Sequence, residues 1–383
     1  MRAALTVTFG GLKPVHALAD CGHVVLVDIG LDLPDTDLRG FQAADVLARW
    51  PVPGPDDDKY TQGVTGVLAG SSTYPGAAVL CTGAAVAATS GMVRYAGSAH
   101  AEVLAHWPEV IASPTPAAAG RVQAWVVGPG LGTSDEEAAG ALWFALETDL
   151  PVLVDADGLT MLAAHPELVV NRRAPTVLTP HAGEFARLAG APPGPDRVSA
   201  CRKLADTFGA TVLLKGNVTV IADPGGPVYL SPAGQSWAAT AGSGDVLSGM
   251  IGALLASGLA PAEAAAAAAF VHARAARLSA VDPARRCADI RITNPAPHQG
   301  RPGCSVDIHN ERIRRVPQPP VRARALDCSG LHRADVHRPY PGAPVARGID
   351  GSGSRLPVHP RRAHARRQFA AEPGHLCHHL DGP

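Results

Sequence analysis

At 383 residues, with 46% hydrophobic and 17% charged side chains, the chain is long enough for two domains or one large α/β domain and can build a packed core. Its formal net charge of −1 creates no broad field toward nucleic acid or an acidic membrane surface. A run of about 18 uncharged apolar residues, the length that spans a bilayer, does not occur; the alanine-rich run 261–271 is too short and contains Glu263.

The opening Met1-Arg2-Ala3-Ala4-Leu5-Thr6 lacks the pattern of a signal peptide, so a soluble, cytoplasmic protein is expected. Residues 5–9 and 24–29 read as two short β-branched strands, joined by turn residues and a short helix over 10–22. This is too little to fold alone. Residues 32–50 mix acids with apolar side chains, and 51–58 is rich in Pro and Asp, so 36–58 reads as a linker and 59 as the start of a new domain. From residue 63 the rhythm becomes strand, glycine turn, helix: a strand over 64–69, the turn 70–76, a helix over 77–88. Further apolar runs at 124–127, 152–154, 176–178, 212–214 and 218–222 are interleaved with helices such as 136–147 and 198–208. Alternation of this kind predicts an α/β fold with a mostly parallel sheet covered on both faces, whose ligands bind at the carboxyl ends of the strands.

The informative residues follow those strands. Gly128-Pro129-Gly130-Leu131-Gly132 permits close approach of a substrate, or is a plain strand-to-helix turn. Asp155 and Asp157 could position Mg²⁺ or polar substrate groups, or cap the next helix. His181 could hold a substrate amide or phosphate, or be polar surface, and Glu184 falls in a first helical turn. Lys215 at a strand end suits a phosphate. In Ala239-Thr240-Ala241-Gly242-Ser243-Gly244-Asp245, the glycines free backbone N–H groups to cradle an anion at a helix N-terminus, and Asp245 places a carboxylate base one turn away. The rival reading is an ordinary helix cap.

Past Ser279 the character changes. Residues 282–383 are rich in Arg, Pro and His with little periodicity. A nucleic-acid- or metal-binding tail and a disordered one are both conceivable, but the abrupt change fits a shifted reading frame best. Of seven cysteines, Cys21, Cys81 and Cys201 are widely spaced, and Cys287, Cys304, Cys328 and Cys377 lie in the tail without zinc-like pairing; neither a disulfide framework nor a metal site is expected.

The motifs, taken together with Tyr74-Pro75-Gly76-Ala77-Ala78, Leu178-Thr179-Pro180-His181-Ala182-Gly183-Glu184 and Lys215-Gly216-Asn217-Val218-Thr219-Val220, make residues 59–279 resemble the ADP-dependent NAD(P)H-hydrate dehydratases of the ribokinase-like superfamily. The resemblance implies a three-layer α/β/α fold and loss of water from hydrated NADH or NADPH, with AMP and phosphate released. It implies that Asp245, Gly242, Ser243 and Gly244 are catalytic. Ala77, Gly130, Gly132, His181 and Asp245 would touch the hydrated cofactor, and Lys215, Gly216, Asn217, Val218, Thr219 and Gly244 the adenine nucleotide. ADP is the implied co-substrate, with Mg²⁺ but no assigned ligand for it. The expected partners are these small molecules, with no nucleic acid and no membrane, in a homo-oligomer.

Residues 1–35, through Thr6-Val7-Thr8-Phe9-Gly10-Gly11-Leu12-Lys13-Pro14 and Val27-Asp28-Ile29-Gly30, resemble the last strands of an NAD(P)H-hydrate epimerase domain, and are expected to be a truncated remnant without that activity. The dehydratase domain is expected over 59–281; the family continues with one more helix, and nothing in 282–383 resembles it. Rival readings are an ATP-dependent kinase of the same superfamily acting on a hydroxymethylpyrimidine, thiazole or sugar, and an inactive product of gene decay.

Overall fold

A computed structural model describes residues 3–88, 91–134, 136–233 and 236–279. The described residues all belong to one compact unit. The tail read as a shifted frame, with its four cysteines, lies outside them.

The chain opens with two parallel strands, β1 (Leu5–Phe9) and β2 (His23–Val27), joined through α1 (Pro14–Leu18). The second strand therefore starts one residue before the expected 24–29 and stops at Val27. Much apolar surface stays exposed on this piece, including Leu5, Phe9, Leu12 and Ile29, as expected of a pair too small for its own core.

The stretch 36–58, expected as a linker, carries structure. β3 (Leu38–Arg39) pairs in parallel with β12 (Val228–Pro232), and Arg49 at the end of α2 (Ala43–Arg49) bonds Glu263 at 2.9 Å. Phe41 meets the Tyr229 ring edge-on at 5.1 Å. The apolar residues among those acids find their partners only once the sheet exists.

The main sheet is built from β4 (Val64–Leu68), β5 (Met92–Ala96), β6 (Ile111–Ser113), β7 (Ala124–Val127), β8 (Val152–Val154), β9 (Thr176–Leu178), β10 (Thr211–Leu214) and β11 (Val218–Ala222), with β12 and β3. Its order is β3-β12-β11-β10-β9-β8-β7-β4-β5-β6. Each pairing is parallel except the two that β11 makes.

Adjacent strand residues point to opposite faces, and both faces are covered. Val67, Val126, Leu153, Val177 and Leu213 join one core with α3 (Pro75–Ala88), α4 (His100–His106), α10 (Ser243–Ala256) and α11 (Pro261–Ser279). Leu68, Val127, Val154, Leu178 and Leu214 join the other with α5 (Glu136–Glu147), α6 (Asp157–Leu162), α7 (Glu167–Val170), α8 (Ala182–Ala189) and α9 (Arg197–Phe208). The result is the expected three-layer α/β/α arrangement around a mostly parallel sheet. Burial on both faces explains why these strands read as continuous apolar runs rather than alternating ones.

α10 is apolar nearly all round because it lies between α3 and the sheet. A Cβ at Gly249 would come within 2.1 Å of the Cys81 carbonyl, and one at Gly252 within 2.0 Å of Val126 Cγ2. Among the described residues no helix is long and apolar enough to cross a membrane.

Candidate functional site

Because β4, β7, β8, β9 and β10 run parallel, their carboxyl ends open on one edge, and the loops that follow meet there. Gly70 N–H donates to the Pro129 carbonyl at 2.7 Å, and Lys215 N–H to that of Pro180 at 2.8 Å. A Cβ on Gly128 would lie 1.9 Å from the Asp155 carbonyl, and one on Gly130 (φ +65°) 2.6 Å from Ala77 Cβ. These glycines let protein close on protein, and so bring Ala77 and Gly130 together. Gly132 N–H donates to Asp157 Oδ2 at 2.9 Å.

The turn after β8 settles what its two acids do in this structure: neither caps α6. Asp155, only 1% exposed, has its Oδ1 at 2.6 Å from Lys215 Nζ and accepts from Ser248 Oγ on Oδ2 at 2.7 Å. Lys215 Nζ also lies 3.7 Å from Glu184 Oε2. Burial works against the ammonium's charge, but Asp155, Glu184 and Asp245 outweigh it and hold Lys215 above the ordinary lysine range.

His181 is the N-cap of α8. Its Nδ1 accepts from Gly183 N–H at 2.9 Å and Glu184 N–H at 3.2 Å, while Glu184 Oε2 accepts from His181 N–H at 2.8 Å, a reciprocal capping box. The other ring nitrogen, Nε2, lies 3.3 Å from Glu184 Oε1. The ring is still largely exposed, and it lines a cavity of about 320 Å³ with Lys215, Gly216, Asn217, Thr219, Ser243 and Gly244. Five of the six residues expected at the nucleotide therefore share one cavity. Val218 does not line it; its side chain packs on the α5–α9 core.

Gly242 begins α10 in the left-handed conformation at φ +85°, and no side-chain cap bond is made there. Asp245 in the first turn is thus not the ordinary cap. Burial first, then repulsion from Asp155 and Asp157, pushes its carboxyl up to about 7, with Lys215 opposing. A group that ionises near neutrality beside a helix N-terminus can take a proton from a hydroxyl while that N-terminus and Lys215 hold an anion.

Two residues that sequence reasoning passed over, Ser248 and His272, and one whose role it left open, Asp155, complete the site. Ser248 sits one turn after Asp245, a spacing that could have flagged it. Asp155 was left between capping the next helix and positioning Mg²⁺ or polar substrate groups. His272 carries no signal in its alanine-rich helix, yet its Nε2 meets Ser243 Oγ at 3.0 Å. Burial holds its imidazole below the ordinary range, against the pull of the Ser243 backbone.

A family model described as NAD(P)H-hydrate dehydratase matches residues 65–294. The chain is 87% identical over 283 residues to the bifunctional NAD(P)H-hydrate repair enzyme Nnr of Mycobacterium leprae, covering 74% of this chain and 60% of that protein. It thus spans little more than half of that relative's length. It is 42% identical over 234 residues to the ADP-dependent (S)-NAD(P)H-hydrate dehydratase of Neisseria meningitidis, covering 58% of this chain and 78% of that one. Among solved structures it is similar to the ADP/ATP-dependent NAD(P)H-hydrate dehydratase of Bacillus subtilis co-crystallised with ATP and Mg²⁺, at 29% identity and a TM-score of 0.57, covering 66% of this chain and 96% of that one. The matched span contains the main sheet apart from β3, the loops at its carboxyl edge and α10, and on that ground the chain belongs to the NAD(P)H-hydrate dehydratase family.

Proposed function

We propose that this protein removes water from the S epimer of hydrated NADH or NADPH at the expense of ADP, restoring the reduced cofactor and releasing AMP and phosphate. The observation that carries the reading is Asp245, poised to ionise at about 7 in the first turn of α10, directly beside the Gly242–Gly244 cradle.

In this reading Asp245 accepts the proton of the ring hydroxyl as its oxygen bonds to the β-phosphorus of ADP. The bridging P–O bond breaks and AMP leaves. Phosphate is a better leaving group than hydroxide, so the ring nitrogen's lone pair expels it and a proton leaves the neighbouring carbon. The backbone N–H of Gly244 and the Lys215 ammonium take up the negative charge gathering on the phosphoryl oxygens. Ala77, Gly130, Gly132 and His181 position the hydrated cofactor. Lys215, Gly216, Asn217, Val218 and Thr219 hold the nucleotide, Val218 through its backbone.

Among the described residues no group of three or more His, Cys, Asp or Glu is placed to hold a metal, and both oxygens of Asp155 are engaged. This donor set suits Mg²⁺ that enters with ADP as part of the substrate, on phosphate oxygens and water.

The test supplies hydrated NADH or NADPH with ADP and Mg²⁺ and follows the nicotinamide absorbance near ~340 nm. Its return, dependent on ADP and about 10² to 10⁴ times slower in Asp245→Asn, is the expected result. Phosphorylated product accumulating with ATP while the hydrate stays untouched would move the protein to the kinases. Activity in Asp245→Asn within a few-fold of the parent would remove Asp245 from the role of base.

A further inference from the structure

The mechanism above leaves Asp155 without a part, although it is among the most enclosed charges at the site. A buried carboxylate is costly unless each oxygen is satisfied, and here Lys215 takes one and Ser248 the other, at 2.6 and 2.7 Å. Its backbone is held as firmly. Ala156, next in the chain, has φ +48°, the one positive value outside glycine among the described residues, a conformation kept only where the surroundings impose it. Gly158 N–H donates to the Asp155 carbonyl at 3.0 Å, and the backbone of Gly128 lies against that same carbonyl.

The first turn of α10 closes over this pair. A Cβ on Gly244 would sit 3.5 Å from Lys215 Nζ and 3.8 Å from Asp155 Oδ2, so the ammonium is wedged between Asp155, Glu184 and the turn that carries Asp245.

We propose that Asp155 is a positioning residue: fixed by Ser248 and the turn at Ala156, its carboxylate holds the Lys215 ammonium against the first turn of α10, beside Asp245 and the glycine cradle. The inference rests on the reading of Asp245 as the base. It makes Asp155 the common neighbour of the proton acceptor and the anion ligand, so that a change at Asp155 is felt by both.

The charged groups facing Asp245 are Asp155 at the end of β8, Asp157 in α6 and Lys215 at the end of β10. Glu184 in α8 acts through Lys215, and the buried Cys81 thiol of α3 is held protonated, Asp245 contributing. Replacing Asp155 by Asn removes a negative charge from this set and frees Lys215 to move toward Asp245. Both changes favour the ionised form of Asp245.

The experiment follows the carboxyl ¹³C titration of Asp245, identified by its loss in Asp245→Asn, with kcat/KM against pH. In Asp155→Asn the titration and the acid limb are expected to move together to lower pH, by about one unit, while the plateau of kcat falls about tenfold or more because Lys215 is no longer held in place. Ser248→Ala keeps the charge and frees one oxygen; kcat should fall at least about threefold with little movement of the limb. A purely structural role would lower the plateau and leave the Asp245 titration where it was. An unmoved titration in folded Asp155→Asn overturns the proposal, and so does an effect confined to the Mg²⁺ concentration needed for activity. Should Asp155→Asn not fold, unchanged kcat in Ser248→Ala overturns it. The titration needs no turnover, so it still reads the coupling if Asp245→Asn proves active and the reading of the base fails.

Discussion

Asp245 is exceptional in where its proton sits. Its value in the folded protein is about 7 against 3.8 for an unperturbed aspartate, so across that interval the folded state binds the proton and the unfolded state does not. Stability from this group is therefore fully present below 3.8 and is lost as pH rises through about 7. Asp245→Asn carries no such loss. It should melt above the parent by a gap that opens between 3.8 and about 7 and is flat beyond; a gap that narrows as pH rises would mean that Lys215, not burial, governs the carboxyl. The parent's kcat/KM should rise with pH through the same region, since only the ionised form accepts a proton. The residue type and its helix-start position were legible in the chain. Its shifted proton affinity was not, because burial and the charges of Asp155 and Asp157 come from other elements.

At the scale of elements the site depends on how closely α10 approaches α3. Gly249 is where they meet, with no room for a Cβ short of the Cys81 carbonyl. That contact is backbone and cannot swing aside, so Gly249→Ala should destabilise the protein by about 1 to 3 kcal/mol. Because the first turn of the same helix carries the cradle and Asp245, turnover should fall in the still-folded fraction as well. A melting temperature equal to the parent's, with full activity, would show that α10 shifts without cost. β5, β6 and β12 were not among the expected strands, whereas β4, β7, β8, β9, β10 and β11 were readable here from apolar runs and glycine turns. The short elements were not: β3 has two residues, too few for any periodicity, and α2 sits in a stretch whose acids and prolines read as a linker.

For the molecule as a whole, a nucleotide that binds only the folded state must raise its stability. If the cavity lined by Lys215, Gly216, Asn217 and Thr219 takes ADP, a concentration about a hundredfold above Kd should add about 2.7 kcal/mol, or several degrees in melting temperature. No shift at saturating ADP, in a protein that melts cooperatively, would remove the nucleotide from that cavity.

The sequence by itself determined the class of fold and the order of the motifs. Those signals are local: two-sided burial makes strands uniformly apolar, glycines mark turns that other residues enter only under strain, and a Gly-Ser-Gly-Asp run at a helix start offers amides and a carboxylate within one turn. The tertiary structure decided which of these groups act on one another. Lys215 and Asp155 are 60 residues apart, Ser248 and Asp155 93, and Ser243 and His272 29. They meet only because the sheet sets β8 beside β9 and β9 beside β10, and because α10 and α11 cover one face of it. Strand order is a long-range property with no local periodicity to announce it, and the strength of a charge pair depends on how much water that packing excludes.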